Sequence, residues 1–148
     1  MIASSRMPGH LIRRLHQKST QVFTRHVRAA GYDLTPVQFA ALDALRHVPG
    51  IDQAGLADAV GKDAATIGAV VDRLAQKGLL TRVRSRADRR ARVLELTAEG
   101  EAVIAALLPV VSGLQPEILD GLTEEEYAQF IRLAAKAAAM PDRTGDGS

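Results

Sequence analysis

Six arginines, Arg82, Arg84, Arg86, Arg89, Arg90 and Arg92, fall within eleven consecutive positions, and Asp88 is the only acid among them. A guanidinium keeps its charge and offers a planar fork of donors that matches phosphate or carboxylate, so this run is suited to holding an anion. The other chemistry-bearing residues form no reaction centre. His10, His16, His26 and His47 lack a metal-ligand spacing such as a helical i, i+4 pair. Glu124, Glu125 and Glu126 are explained as favourable charge at a helix N-terminus. There is no nucleophile motif, no glycine-rich phosphate loop and no cysteine, which removes disulfides and thiolate metal sites. The expectation is a non-enzyme with no catalytic residue, no metal site and no cofactor.

The charge is segregated along the chain. Residues 62–92 carry nine Lys and Arg against three Asp and Glu, residues 93–148 three against ten, and residues 1–61 seven against four. The formal net charge of +2 therefore hides a local basic patch, which serves a local partner. At 148 residues and 47% hydrophobic the chain fits one compact domain with a real core, and 3% aromatics with abundant alanine favour packed helices. The stretch MIASSRMPGHLIRRLHQ lacks the apolar core of a signal peptide, and the longest apolar run, AVIAALLPVV at 102–111, is about half a membrane span. A soluble cytoplasmic protein with no membrane partner is expected.

The elements that must position the arginines follow from periodicity and punctuation. Leu11, Leu15, Val22 and Phe23 mark a long amphipathic helix that stops at Gly31. Thr35, Pro36 and Gln38 open a second helix with a capping box, and Phe39, Leu42 and Leu45 face inward. Asp52 caps a short helix that ends at Gly61 and buries Leu56, Ala57 and Val60. Asp63 caps another, with Ile67, Val70, Val71 and Leu74 on one stripe and Gly78 as terminator. Two short helices meeting at a three-residue break have helix-turn-helix spacing. LLTRVR and ARVLEL then alternate as strands around the polar SRADRR, so the arginines project from a hairpin. Thr97 starts a long helix with Pro109 as a kink, and Thr123 with Glu126 starts the last. Residues 141–148 should be frayed. The fold expected is mainly α with a small β-hairpin. A winged helix-turn-helix lobe spans about 33–98, and the flanking helices at about 8–31 and 98–140 are too apolar to stand alone, so they interlock with a second copy.

The run GLADAVGKDAATIGAVVDRLAQKGLLTRVRSRADRRARVLELTAEG resembles the MarR family (multiple antibiotic resistance regulators). The carriers of the resemblance are Leu56-Ala57, Thr66, Val71-Asp72-Arg73-Leu74, Lys77-Gly78-Leu79, Asp88-x-Arg90 and Leu96-Thr97, and it covers roughly residues 9–140. It implies a homodimer that binds a pseudo-palindromic double-stranded DNA operator, with recognition helices in successive major grooves and wings in adjacent minor grooves. Release by a small aromatic carboxylic or phenolic acid is implied as well. PGHLIRRLHQ and DAATIGAVVDRL look like regulators of aromatic acid catabolism.

On this reading the recognition helix spans 63–77 and turns Ala64, Ala65, Thr66, Gly68, Ala69 and Arg73 toward DNA. Where many family members have long polar side chains, this chain has small ones, which cannot make bidentate base contacts, so direct readout is sparse. Arg86, Arg89 and Arg90 at the hairpin tip suit a narrow minor groove, whose negative potential attracts arginine. In the family pattern Asp88 pairs with a neighbouring arginine and orients Arg90. Arg82, Arg84 and Arg92 line the strands and meet phosphates, or merely solvate the wing. Effector candidates are Arg13, Arg14 and His16 for a carboxylate and Phe39 for a ring. The rival readings are a metal-responsive winged-helix repressor and a non-sensing architectural DNA-binding protein.

Overall fold

The computed structural model describes residues 3–139. A single 3-10 turn (Ala3–Arg6) leads into α1 (Pro8–Ala29), followed by α2 (Pro36–His47), α3 (Gln53–Val60), α4 (Ala64–Gln76), β1 (Leu80–Arg84), β2 (Arg92–Leu96), α5 (Ala98–Ile118) and α6 (Glu124–Ala138). The fold is mainly helical with one two-stranded antiparallel hairpin, as the sequence predicts. The frayed tail expected at 141–148 lies outside the described residues.

Each helix in the centre starts where cap chemistry is available. Thr35 and Gln38 form a reciprocal capping box on α2, Asp52 accepts from the Gly55 N–H, Asp63 from the Thr66 N–H, and Thr97 from the Gly100 N–H. Gly61 at φ 76° and Gly78 at φ 75° take the left-handed conformation that turns the chain out of α3 and out of the loop after α4.

One stripe from each of α1 to α5 meets in a single core. Leu42, Leu56, Ile67, Leu74 and Leu107 are fully buried, with Val27 and Ile104 nearly so. The hairpin docks through Leu80 and Leu94, and the Leu94 N–H donates to the Ile51 carbonyl at 2.9 Å, which ties the hairpin to the segment before α3. The base of the hairpin is also locked to α5: the Thr97 hydroxyl donates to the Gly78 carbonyl at 2.6 Å, and the Thr97 N–H to the Leu79 carbonyl at 3.1 Å. Gly100 makes that approach sterically feasible, because a Cβ there would lie 2.0 Å from the Leu79 carbonyl oxygen.

α1 packs along α5, and the contact is braced at its polar edge. Lys18 pairs with Asp120 at 2.7 Å, His26 Nε2 lies 2.5 Å from Glu117, and Arg25 reaches the other oxygen of Glu117. Pro109 does not divide α5: the helix runs through it from Ala98 to Ile118. The Ala105 carbonyl that loses its partner belongs to an exposed residue, open to solvent. The apolar stretch is therefore longer than the half-span expected. By length and composition α5 could cross a membrane, but Ile104, Leu107, Val111 and Leu114 are buried in the core. α6 has a complete capping box at Thr123 and buries none of its residues.

Candidate nucleic-acid interface

α4 is oriented by its buried stripe of Ile67, Val71 and Leu74, which turns Ala64, Ala65, Thr66, Ala69 and Arg73 to the exposed side. Its first turn is fixed by the Asp63 carboxylate, which accepts from the Thr66 N–H at 2.7 Å. That bond, joined by one from the Thr66 side chain, holds the Asp63 pKa below the usual carboxylate value. Gly68 departs from the expectation. It is half-buried, and a Cβ there would meet the Gln53 amide nitrogen of α3 at 3.3 Å. Its small size serves the packing of the helix pair, so Gly68 leaves the outer face.

A shallow concavity opens between the start of α2 and α4, lined by Thr35, Gln38, Thr66, Ala69, Arg73 and Gln76, among others. Sequence reasoning missed Gln76. The signal was present, because Thr66, Ala69, Arg73 and Gln76 follow the i, i+3, i+7, i+10 spacing of one helix face. Thr35 and Gln38 were read only as a cap, and nothing local shows that they border α4.

The hairpin pairs Leu80 with Leu96, Arg82 with Leu94, and Arg84 with Arg92 on one face, and Thr81 with Glu95 and Val83 with Val93 on the other. The tip is built by short side chains. The Ser85 hydroxyl accepts the N–H groups of Ala87 and Asp88 at 3.2 Å each, and Asp88 accepts the Arg90 N–H at 3.0 Å. Asp88 therefore orients Arg90 through its backbone, as an Asx turn, and not by the guanidinium pairing expected. A carboxylate two positions away captures the nearer donor and leaves the Arg90 side chain exposed. Arg86, Arg89 and Arg90 all stand exposed at the tip, and Arg84 and Arg92 are exposed on the strands.

Arg82 is a second correction. Its guanidinium donates to Asp72 of α4 at 2.6 Å, so the residue expected to meet phosphate is already paired to the helix beside it. Asp72 and Ser85 were not assigned a role from sequence; the Asp72 partnership is tertiary and leaves no local signature.

The four effector candidates do not converge within one chain. Arg13, Arg14 and His16 sit in the N-terminal half of α1. Phe39 packs edge-on against Phe23 with ring centroids 6.0 Å apart. Phe23 is ten residues beyond Arg13, about 15 Å along the helix. Arg13 and Arg14 are exposed, and Phe39 is half-buried as part of the core margin. His16 borders an apolar groove with Ile12, Ile118, Tyr127, Phe130 and Ile131, formed by α1, α5 and α6. Among the described residues no three His, Asp or Glu side chains gather to hold a metal ion.

Comparison with known proteins places this geometry. Residues 32–91 match the MarR family model. The transcriptional regulator HosA of Escherichia coli O157:H7 is 35% identical over 127 residues, covering 86% of this chain and 91% of HosA. Among solved structures, Bordetella bronchiseptica BpsR, whose DNA binding is regulated by 6-hydroxynicotinic acid, superposes with a TM-score of 0.86 at 28% identity, covering 95% of this chain and 99% of BpsR. The PcaV transcriptional regulator of Streptomyces coelicolor, solved with its natural ligand, gives a TM-score of 0.82 at 36% identity, covering 93% and 96%. With the helix pair, the wing and the flanking helices all matched in one superposition, the chain belongs to the MarR family of transcriptional regulators.

Proposed function

We propose that the protein works as a homodimeric repressor that binds a pseudo-palindromic operator and releases it on binding a small aromatic carboxylic or phenolic acid. The observation that carries the DNA half is the juxtaposition of an exposed face on α4 with a cationic hairpin. Thr66, Ala69 and Arg73 stand on the helix, and Arg84, Arg86, Arg89 and Arg90 on the wing. In this reading residues 33–98 form the DNA-binding lobe. Ala64, Ala65 and Ala69 let α4 approach the major groove closely, and Thr66 is the one short polar side chain for a base or phosphate. The wing tip enters the minor groove, with Asp88 setting its turn.

The dimer reading is supported by the flank. Ile12, Ile131 and Leu133 are 64%, 49% and 53% exposed along the groove between α1, α5 and α6. A contiguous apolar surface of that kind on an otherwise well-packed chain marks an association site. The basic start of α1 (Arg13, Arg14) and the acidic start of α6 (Glu124, Glu125, Glu126) give the second copy complementary charge.

The effector reading rests on the similarity to BpsR and PcaV. His16 borders the groove, and Arg13 and Arg14 reach an acid there when the second copy closes the site; Phe39 belongs to the core margin and drops out of the first choice. Binding would hold the two lobes at a spacing that no longer matches one helical turn of DNA, about 34 to 36 Å.

Two measurements test this. Arg90→Ala should cost about 1 to 3 kcal/mol of operator binding per wing and flatten its dependence on salt. Unchanged binding across a salt series removes the wing from the interface. Calorimetry with 6-hydroxynicotinate, benzoate and hydroxybenzoate, repeated on Arg13→Ala and His16→Ala, tests the sensor. Equal heats in wild type and both variants remove those residues from the pocket.

A further inference from the structure

We propose that the wing's arginines divide their labour: Arg82, held by Asp72, is a strut that fixes the hairpin against α4, whereas Arg84 and Arg92 form a two-guanidinium clamp on one phosphodiester. The proposal rests on the DNA-binding reading above and specifies which charges touch the duplex.

The strut follows from the ion pair. Asp72 lies on α4 and Arg82 on β1, so their 2.6 Å contact joins the two parts of the interface directly. Asp72 stands beside Arg73 on the outer half of α4, where a carboxylate facing phosphate would repel it. Pairing with Arg82 cancels that repulsion and sets the angle between helix and wing. A guanidinium engaged in this way has its charge offset by the carboxylate and one arm of its fork committed to α4.

The clamp follows from register. Ser85 donates to the Ala91 carbonyl at 2.9 Å, so Ser85 and Ala91 are a hydrogen-bonded pair. The adjacent Arg84 and Arg92 are then a non-hydrogen-bonded pair, the kind whose Cα atoms approach to about 4.5 Å. Like charges placed directly opposite in a sheet repel. Among the described residues neither arginine has a salt-bridge partner, and the nearest strand acid, Glu95, is on the other face. Two unneutralised arginines at directly opposite register positions match the chemistry of one bridging anion, and their face is the one from which Arg82 reaches α4. A phosphate between them removes the repulsion at the moment of binding.

Each phosphate contact contributes about 0.9 to the slope of log affinity against log salt, so salt slopes separate the two roles. The probes are a duplex selected from a random pool by the wild-type protein and a mixed-sequence duplex of equal length. Because both guanidiniums share one phosphate, Arg84→Gln combined with Arg92→Gln should lower the slope by about one in total on both duplexes and weaken both by a similar factor. Arg82→Gln should leave the slope in place and reduce the preference for the selected duplex. Asp72→Asn should do the same, the double variant should match either single one, and Arg82→Lys should recover part of the loss. An Arg82→Gln slope lower by about one, additive losses for Asp72→Asn and Arg82→Gln, or a slope either unchanged or lower by about two in the combined Arg84→Gln and Arg92→Gln variant would overturn the division. Thermal unfolding of every variant separates a lost contact from a lost fold. Failure of the DNA-binding reading itself looks different: wild-type protein would then hold neither duplex at any salt concentration.

Discussion

Leu42, Leu56, Ile67 and Leu74, one or two from each of α2, α3 and α4, are fully buried, whereas α6 buries nothing although Tyr127, Phe130, Ile131 and Leu133 give it an apolar side. The lobe is complete within one chain, and the surface it leaves in water is cationic, which costs little there. The flank leaves apolar surface in water, which costs in proportion to its area. The same chain thus presents two different surfaces to water, one cationic on the lobe and one apolar on the flank.

The strongest way to break this contrast is to charge the flank. Ile12→Asp combined with Ile131→Asp puts a carboxylate on each side of the groove. A carboxylate desolvated without a partner costs several kcal/mol, and two-fold symmetry counts each substitution twice. The wild type should sediment as a dimer and the double variant as a folded monomer, with dimer affinity reduced by about 100-fold or more. Gln129→Asp, exposed and away from the groove, should leave assembly unchanged. A dimer that survives both charges would place the association elsewhere.

Gly100 lies where the two regions join, and it ranks next. In Gly100→Ala the new Cβ would sit 2.0 Å from the Leu79 carbonyl oxygen, a backbone atom that cannot rotate away. α5 must then lift from the hairpin base, at a cost of about 3 kcal/mol or more, read as a lower urea midpoint with unchanged slope. Gly113, in the same helix, has nothing within 4 Å of its ideal Cβ. Gly113→Ala should therefore stabilise by about 0.5 to 1 kcal/mol, the helix-propensity difference alone. If the second copy's backbone closes over Gly113, the gain should appear only in the monomeric Ile12→Asp, Ile131→Asp background, which maps how far the apolar face extends.

The same contrast governs what could be read from sequence. Helix starts at Thr35, Asp52, Asp63, Thr97 and Thr123 were legible because a cap is a bargain between residues three apart. The wing was legible because alternation and turn residues are local too. The Asp72–Arg82 pair was not: an acid on a helix and a base on a strand meet only when α4 and β1 pack. Gly68 and Gly100 share one residue type, and only packing shows that the first abuts Gln53 and the second Leu79. Phe39 leaves the first choice of effector residues for a related reason, since residue type attracted it to a ligand while its edge-on contact with Phe23 puts it at the core margin.

The smallest effect concerns one exposed carboxylate in each region. Asp63 has its pKa lowered from 3.8 by the Thr66 N–H that it caps and by the Thr66 side chain, and Asp120 has its pKa lowered from 3.8 by hydrogen bonding and charge attraction from Lys18. Both groups bind a proton more weakly in the folded chain than in the unfolded one. Each therefore contributes stability above the unfolded pKa and loses it as pH falls through the folded value. The causes differ, and salt should separate them. An ion pair between exposed side chains is screened, so the stability difference between wild type and Asp120→Asn should shrink in high salt at neutral pH. A carboxylate bonded to a helix N-terminal amide 2.7 Å away relies on a short directional contact, so the difference for Asp63→Ala should persist in the same salt. Both differences should vanish in acid. If salt erased the Asp63 difference as well, the start of α4 would be held by diffuse charge, and the lobe would depend on its ionic surroundings as much as the flank does.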